Sequence, residues 1–195
     1  MILTKQDLYD YINEDKKAMG AFDKKKFFRD SLRDLSYSKK LLKHIINLRK
    51  LEYRKNRYAQ KKSFFNLILY VVKKMQFKAD CFKLNVFIAP NVFGKGLKLV
   101  HPGYTWLNIT AQIGDNCTVL PNVFIGQKHP GEKQPCVFIG DNAYLGVGCT
   151  ILGPVHIGNN VTIGGGAVVV KDIPDNCIVA GNPAKIIKMK TNEPA

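Results

Sequence analysis

The sequence contains no hydrophobic run long enough to cross a membrane. Its apolar stretch at residues 64–72 is far shorter than the ~20 residues that a membrane-spanning helix needs. Four lysines bracket this stretch: Lys61, Lys62, Lys73 and Lys74. The pattern is typical of a helix lying on an anionic membrane surface, but it also fits a helix packed on the protein or at a subunit contact, with its lysines in solvent. We therefore expect peripheral membrane association at most.

Two further absences indicate a cytoplasmic protein. Met1 to Leu3 lead directly into a polar segment, so no signal peptide is predicted. The five cysteines include no CxxC pair, and their odd number argues against a disulfide scaffold. A nucleophilic cysteine is a weaker alternative. The predicted location is the cytoplasm, at the inner face of the membrane if the basic helices bind lipid.

The four histidines lack the spacing of a metal site. A three-histidine zinc site needs two histidines close in sequence, about five residues apart. His101, His129 and His156 are instead separated by 28 and 27 residues, so the sequence predicts no metal ligand. His44 lies in the N-terminal part of the chain and is expected to be solvated or at an interface.

Acidic residues are scarce, and the imbalance is concentrated at one end. The formal net charge is +15, with 30 Lys+Arg against 15 Asp+Glu. The first 80 residues contain 21 basic and 9 acidic residues, and no arginine follows Arg57. Basic charge alone specifies no base-reading module, so no nucleic-acid partner is predicted. The sequence divides into a basic segment, residues 1–82, a nearly neutral domain, residues 83–190, and a tail, residues 191–195.

The basic segment is predicted to be α-helical. Thr4 is a candidate N-cap, with Asp7 in the first turn and Gly20 as the stop. Further helices are predicted near residues 25–35, from about 38 to 58, and from about 63 to 76. Apolar residues at helical spacing support the last two.

The second half of the chain repeats every six residues. The aliphatic positions of this repeat are Leu107, Ile113, Val119, Ile125, Ile139, Leu145, Ile151, Ile157, Ile163 and Val169. Small or β-branched residues follow four positions later: Ala111, Cys117, Val123, Ala143, Cys149, Val155, Val161, Ala167 and Ile173. Asparagines recur between units, at Asn116, Asn142, Asn160 and Asn176. Self-similarity at a fixed period indicates a solenoid.

A period of six predicts a coil of short strands and tight corners. Both repeated positions point inward, and the second must be small because space near a corner is limited. Glycine and asparagine supply the turning backbone conformations. A β-sandwich would not keep this phase through six consecutive units. The segment between Ile125 and Ile139 interrupts the repeat and predicts a projecting loop at residues 127–136.

Together with the segments LKLVHPGYTWLN (97–108) and GGGAVVVKDIPDNCIVAGNPAKII (164–187), the repeat resembles the hexapeptide-repeat acyltransferases. Within them it is most similar to the serine acetyltransferase-like group, which includes capsular polysaccharide O-acetyltransferases. The likeness covers about residues 86–188. It implies a mainly β protein: a left-handed parallel β-helix preceded by the α-helical segment.

The resemblance also implies an acetyl-CoA-dependent O-acetyltransferase that works as a homotrimer. His101 lies where this family has its catalytic histidine. Acetyl-CoA would lie along the solenoid edge between subunits, with no metal. The matching cofactor-binding positions are Gly126, Gly146, Val147, Gly164 and Gly165, and the nearby cations for CoA phosphates are Lys171 and Lys185. Each glycine has the alternative role of a plain corner residue.

The acceptor is where the sequence departs from the serine-specific enzymes. These have an aspartate directly before the histidine, where this chain has Val100, and a second aspartate aligned near Phe87. Their arginine–histidine pair aligns near Pro135 and Cys136, with Lys128 and His129 as substitutes. These losses favour a saccharide hydroxyl as acceptor, with serine as the alternative.

Two residues are assigned to the acceptor, and one alternative of another class stays open. Asn108 and His129 are the predicted acceptor contacts, and Asn108 has the alternative role of a corner or asparagine-ladder residue. The other class is a non-catalytic β-helix scaffold that recruits partners through its basic helices. His101 and the CoA-type glycines favour the enzyme.

Overall fold

The structure, a computed structural model, describes residues 1–21, 37–129, 131 and 135–190. Within these residues three helices precede the β-structure: α1 (Lys5–Ala18), α2 (Tyr37–Gln60) and α3 (Phe64–Leu84). The predicted start of α1 is confirmed, because Thr4 and Asp7 form a reciprocal capping box. Gly20 follows it with φ +71°. The helix predicted near residues 25–35 lies outside the described residues.

Helix α3 starts where the sequence predicts, but it ends eight residues beyond the predicted end. Ser63 is its N-cap, since its Oγ accepts a hydrogen bond from the Asn66 N–H (3.2 Å). The predicted end near residue 76 is wrong, because Phe77 and Cys81 continue the buried face. The helix ends at Asn85, which adopts the left-handed conformation with φ +55°.

The remaining chain winds into a prism with three parallel faces. Face A contains β1 (Val86–Ile88), β3 (Thr105–Leu107), β6 (Phe124–Gln127), β9 (Thr150–Gly153) and β12 (Val168–Val169). Face B contains β4 (Ala111–Ile113), β7 (Val137–Ile139) and β10 (Val155–Ile157). Face C contains β2 (Lys98–Leu99), β5 (Thr118–Val119), β8 (Tyr144–Leu145), β11 (Thr162–Ile163) and β13 (Cys177–Ala180), followed by the antiparallel β14 (Lys185–Met189).

The register confirms the six-residue repeat. Leu99, Val119, Leu145, Ile163 and Val179 stack in one column of face C. All the aliphatic positions of the repeat are buried, as are the small positions that follow them. Asn116, Asn142, Asn160 and Asn176 all have φ between +54° and +58°, so they form the left-handed corners that the sequence predicts. The chain therefore has the predicted left-handed parallel β-helix of hexapeptide repeats with N-terminal helices.

A buried ionic network joins the helices to the first coil. The Arg49 guanidinium on α2 donates to the Asp15 carboxylate of α1 (2.8 and 3.2 Å) and to Glu52 (3.1 Å). It also donates to the carbonyl oxygens of Phe93 and Gly94 at the start of the β-helix. All three charged side chains are essentially inaccessible to solvent. The helices and the β-helix accordingly share one continuous core. The domain division at residue 82 stays a prediction.

Helix α3 presents a largely apolar outer face. Its exposed apolar residues are Phe64, Phe65, Ile68, Val71, Val72, Met75 and Phe82. In the part of the chain that the structure describes, no helix is long and apolar enough to span a membrane. Peripheral membrane association through this face stays a prediction.

Candidate active site

His101 lies at the corner where face C leads back to face A, which we call the C–A corner. From Leu99 to Leu107 the chain takes eight residues, whereas the equivalent step from Val119 to Ile125 takes six. The two extra residues make this corner a longer loop, and Gly103 folds over Pro121 in the next coil, where an added Cβ would lie 2.9 Å from the proline Cβ. His101 is exposed to solvent in this loop.

Four of the predicted cofactor-binding residues lie on the same C–A corner as His101. The Val100 N–H donates to Val119 O (3.1 Å), and equivalent bonds run from Gly146 N–H to Ile163 O (2.9 Å) and from Gly164 N–H to Val179 O (2.8 Å). Val147 and Gly165 are the next residues in their coils. Because neighbouring strands lie about 4.8 Å apart, Gly165 is three coils, or roughly 14 Å, from the coil of His101.

The glycines at this corner differ in how strongly the neighbouring coil excludes a side chain. A Cβ on Gly146 would lie 2.5 Å from Ile163 O and 2.7 Å from Gly165 N, so the backbone of the next coil requires glycine here. A Cβ on Gly165 would meet only Val147, with the nearest contact at 3.2 Å. Gly165 is exposed and is therefore the glycine that the fold itself explains least.

Two backbone amides at this corner point to a ligand. The N–H groups of Val147 and Gly165 have no acceptor within the described residues, whereas their neighbours Gly146, Gly148, Gly164 and Gly166 all donate to carbonyls. Unpaired N–H groups along an exposed edge can donate to carbonyl or oxyanion groups of a bound molecule. The sequence assigns both residues to the cofactor but does not reveal that their amides are free, because a free amide leaves no signature in the side-chain pattern.

The other predicted residues lie elsewhere in the chain. Gly126 and Asn108 are neighbours at the corner between faces A and B, which we call the A–B corner, because Ile125 pairs with Leu107. Asn108 Oδ1 accepts from the Ile109 N–H (2.7 Å), which fits the corner role. His129 is exposed in the projecting loop that leaves the same corner. One chain therefore does not bring His101 together with Asn108 or His129.

The suggested lysine contacts differ in their availability. Lys128 Nζ donates to Val170 O (2.7 Å), so its ammonium anchors the loop to the next-but-one coil and is not a free substitute for the arginine of serine-specific enzymes. Lys171 and Lys185 are exposed and make no hydrogen bond or ion pair within residues 37–129, 131 and 135–190. They remain available for an anionic ligand.

An aromatic cluster surrounds Phe87, the position predicted to align with an aspartate of the serine-specific enzymes. Phe87 packs edge-on against Phe82 (centroids 5.4 Å apart) and at a tilt of 38° against Trp106 (5.3 Å). Together with Asn108, Phe87 and Trp106 line a cleft of about 180 Å³ at the A–B corner. This cleft offers apolar ring faces and one amide, and none of its lining residues carries a charge.

The remaining histidines and cysteines do not form a second centre. His156 stacks on Phe138 (centroids 4.8 Å apart) on the outside of face B. His44 was expected to be solvated or at an interface, and of these the solvated alternative is wrong, because only 1% of its surface is accessible and its ring stacks on Phe77 of α3. All five cysteines are buried, and burial raises the pKa of the Cys149 thiol to about 12, which opposes a nucleophilic role. Among the described residues no cluster could hold a metal ion.

Comparison with known proteins agrees with this architecture. Residues 136–171 match the family described as bacterial transferase hexapeptide (six repeats). The fold is thus that of the hexapeptide-repeat transferases. Serine acetyltransferase 4 of Arabidopsis thaliana is 39% identical over 111 residues, 56% of this chain and 30% of that protein. The serine acetyltransferase of Bacillus pumilus is 30% identical over 128 residues, 64% of this chain and 58% of that protein.

A solved structure extends the likeness to the helices. The serine acetyltransferase of Neisseria gonorrhoeae superposes with a TM-score of 0.64 at 26% identity, covering 97% of this chain and 68% of that one. The resemblance to the serine acetyltransferase-like group of hexapeptide-repeat acyltransferases is therefore confirmed. The chain spans less than two thirds of the length of the curated relatives it matches.

Proposed function

We propose that the protein transfers an acetyl group from acetyl-CoA to a hydroxyl group. The observation that carries this proposal is the C–A corner, where an exposed histidine lies in line with the two free amides of Val147 and Gly165. The serine acetyltransferase names of the relatives support the same donor and reaction type. Release of free CoA thiol from acetyl-CoA in the presence of a hydroxyl acceptor tests it.

His101 is the proposed general base. A hydroxyl is a weak nucleophile at neutral pH, so the imidazole takes its proton as the oxygen attacks the thioester carbonyl. The tetrahedral intermediate carries its negative charge on the former carbonyl oxygen, where a backbone N–H can stabilise it. The C–S bond then breaks, and the imidazolium returns the proton to the departing thiolate. Both substrates bind together, so no acyl-enzyme forms.

The pantetheine arm of acetyl-CoA is proposed to lie along the C–A corner. It contains amide carbonyls that can accept from Val147 and Gly165 N–H, and Gly165 is exposed at this corner. Lys171 and Lys185 are the cations proposed for the phosphates. Gly126 is assigned to the same ligand only through a second copy, because it lies at the A–B corner.

The separation of the two corners supports a homotrimer. A closed ring of three chains would set the C–A corner of one subunit against the A–B corner of the next, joining His101 to Asn108 and His129. Light scattering of the purified protein is expected to give the mass of three chains. An active monomer would show that one chain holds a complete site and would overturn the shared-site proposal.

A saccharide hydroxyl is the proposed acceptor. Val100 and Phe87 stand where serine-specific enzymes use carboxylates, and a buried ammonium without a counter-charge meets a desolvation penalty. The aromatic cleft with Asn108 suits the apolar face and hydroxyls of a sugar ring. Serine is the second candidate, and the relatives' names support it better than they support a saccharide.

Competition between the two acceptors decides the substrate. We expect a saccharide to be used at least ~10-fold better than L-serine by kcat/KM, a difference of about 1.4 kcal/mol in transition-state stabilisation. The matched variant Val100→Asp restores a carboxylate beside His101 and is expected to improve serine use specifically. Efficient serine acetylation by the unmodified protein, with no turnover of bacterial glycans or sugar nucleotides, would establish the second candidate instead.

A further inference from the structure

A cavity of about 320 Å³ lies between α2, α3 and the loop that carries His101. Its lining includes Lys40, Lys43 and His44 from α2, Asp80 and Lys83 from α3, and Pro102. Pro102 directly follows His101, so one wall of this cavity is the loop of the proposed catalytic base. Lys43 and His44 follow Lys40 by three and four residues and therefore lie on its side of the helix.

The cavity has an excess of positive charge. Three lysine side chains line it, and none of them forms an ion pair with another described residue. The single carboxylate, Asp80, accepts a hydrogen bond from Asn47 Nδ2 (2.7 Å). Ammonium groups gathered around a concave surface raise the local concentration of anions.

His44 lies in the wall of this cavity, where its ring stacks on Phe77 (centroids 4.8 Å apart). Only 1% of the residue's surface is accessible, and both ring nitrogens are closed off from solvent. Burial lowers the pKa of His44 to about 4, so the ring is neutral at neutral pH and adds no charge to the cavity. The cationic groups that face an anion here are therefore the three lysines.

We propose that this cavity binds a carboxylate or phosphate group of the acceptor, so that the acceptor is an acidic saccharide. The inference rests on the proposed acetyl transfer to a saccharide. The lysines hold the anion, and the Pro102 wall places the rest of the sugar beside His101. The phosphates of CoA are the alternative anionic group that this cavity could bind. However, the free amides of Val147 and Gly165 lie two and three coils away from this end of the β-helix.

Three related acceptors, two charged and one neutral, test the proposal. The methyl glycoside of glucuronic acid (methyl glucuronide) carries a carboxylate, methyl glucoside 6-phosphate carries a phosphate, and methyl glucoside is the neutral counterpart. We expect at least one charged sugar to be used ~10-fold better than the neutral one by kcat/KM. The double variant Lys43→Gln/Lys83→Gln is expected to abolish this preference through KM, and added salt should weaken it in the unmodified protein. Lys50→Gln, on an exposed position of α2 that does not line the cavity, is the matched control.

Two outcomes would overturn the assignment. Equal use of charged and neutral sugars, unaffected by the double variant, would exclude an anion subsite while leaving acetyl transfer intact. A raised KM for acetyl-CoA with an unchanged acceptor KM would assign the cavity to CoA phosphates. Calorimetric titration with methyl glucuronide and with inorganic phosphate, in the absence of acetyl-CoA, provides a readout that does not depend on catalysis. Binding that is lost in the double variant and kept in Lys50→Gln supports the cavity even if no sugar is acetylated.

Discussion

Replacement of His101 by alanine is expected to lower acetyl transfer by at least ~100-fold, because a positioned general base contributes ~10²–10⁴-fold. His101 is exposed in the corner loop, and its side chain is no part of the buried core, so the variant should fold normally. The loss should fall on kcat, while the affinity for acetyl-CoA changes little. Steady-state kinetics with thiol release, together with calorimetric binding of CoA, measures both quantities.

His156→Ala is the matched control for this experiment. His156 is also an exposed histidine of the β-helix, but it stacks on Phe138 on the outer side of face B. We expect its removal to leave kcat nearly unchanged. His129→Ala should raise the acceptor KM, because His129 is assigned to the acceptor. If His129→Ala abolished activity while His101→Ala retained most of it, the assignment of the base would be wrong.

The β-helix could be predicted because its sequence signal is local and repeated. Each coil needs an aliphatic residue and a small residue at the same two inward positions, and each left-handed corner needs asparagine or glycine. A single unit would be ambiguous, but the six consecutive units in phase from Ile139 to Val169 are not. The starts of α1 and α3 could be predicted for the same reason, since Thr4 and Ser63 cap through residues three positions away.

The missed features depend on contacts between distant residues. Arg49 bonds to residues 34 and 45 positions away, and nothing near it in sequence distinguishes it from the other arginines of the basic segment. His44 was expected in solvent or at an interface because its neighbours are basic, but the helical period turns it toward Phe77 of α3. The candidate site shows the same division between local and distant signals. Sequence motifs identify the residues of the C–A corner. Whether Asn108 and His129 lie next to them depends on how the subunits assemble, which no local pattern encodes.

Replacement of Arg49 by leucine is expected to destabilise the fold by about 3–5 kcal/mol, the usual cost of removing one partner from a buried ion pair. The guanidinium donates hydrogen bonds to two carboxylates and two backbone carbonyls at once. Because Asp15 and Glu52 are buried, water cannot replace the guanidinium as their partner. Although burial of Arg49 opposes its charge, the Glu52 and Asp15 carboxylates together raise the pKa of the guanidinium, so the charge is present at any working pH. For a chain of this size, the loss corresponds to a decrease in Tm of roughly 6–20 °C.

The pH dependence of the Arg49→Leu variant provides a check on this cause. Burial already raises the pKa of Glu52, while Arg49 opposes that rise, so removal of Arg49 should raise the pKa of Glu52 further. A carboxyl whose folded pKa exceeds its unfolded value favours the folded state more as pH falls. The stability deficit of the variant should therefore shrink as pH is lowered toward about 4.3, the ordinary pKa of a glutamate. Urea unfolding at several pH values measures it.

Arg57→Leu makes the same substitution at an exposed position near the end of α2 and is expected to change stability by less than about 0.5 kcal/mol.

Arg49→Lys separates the effect of charge from the effect of shape. An ammonium can offset the charge of the carboxylates, but it lacks the planar, multi-donor guanidinium that also reaches the carbonyls of Phe93 and Gly94. We expect the lysine variant to lie between the leucine variant and the unmodified protein. Equal unfolding free energies for Arg49→Leu and Arg57→Leu would show that the network does not hold the helices on the first coil. In that case the first coil, which leads into the loop of His101, would need another support.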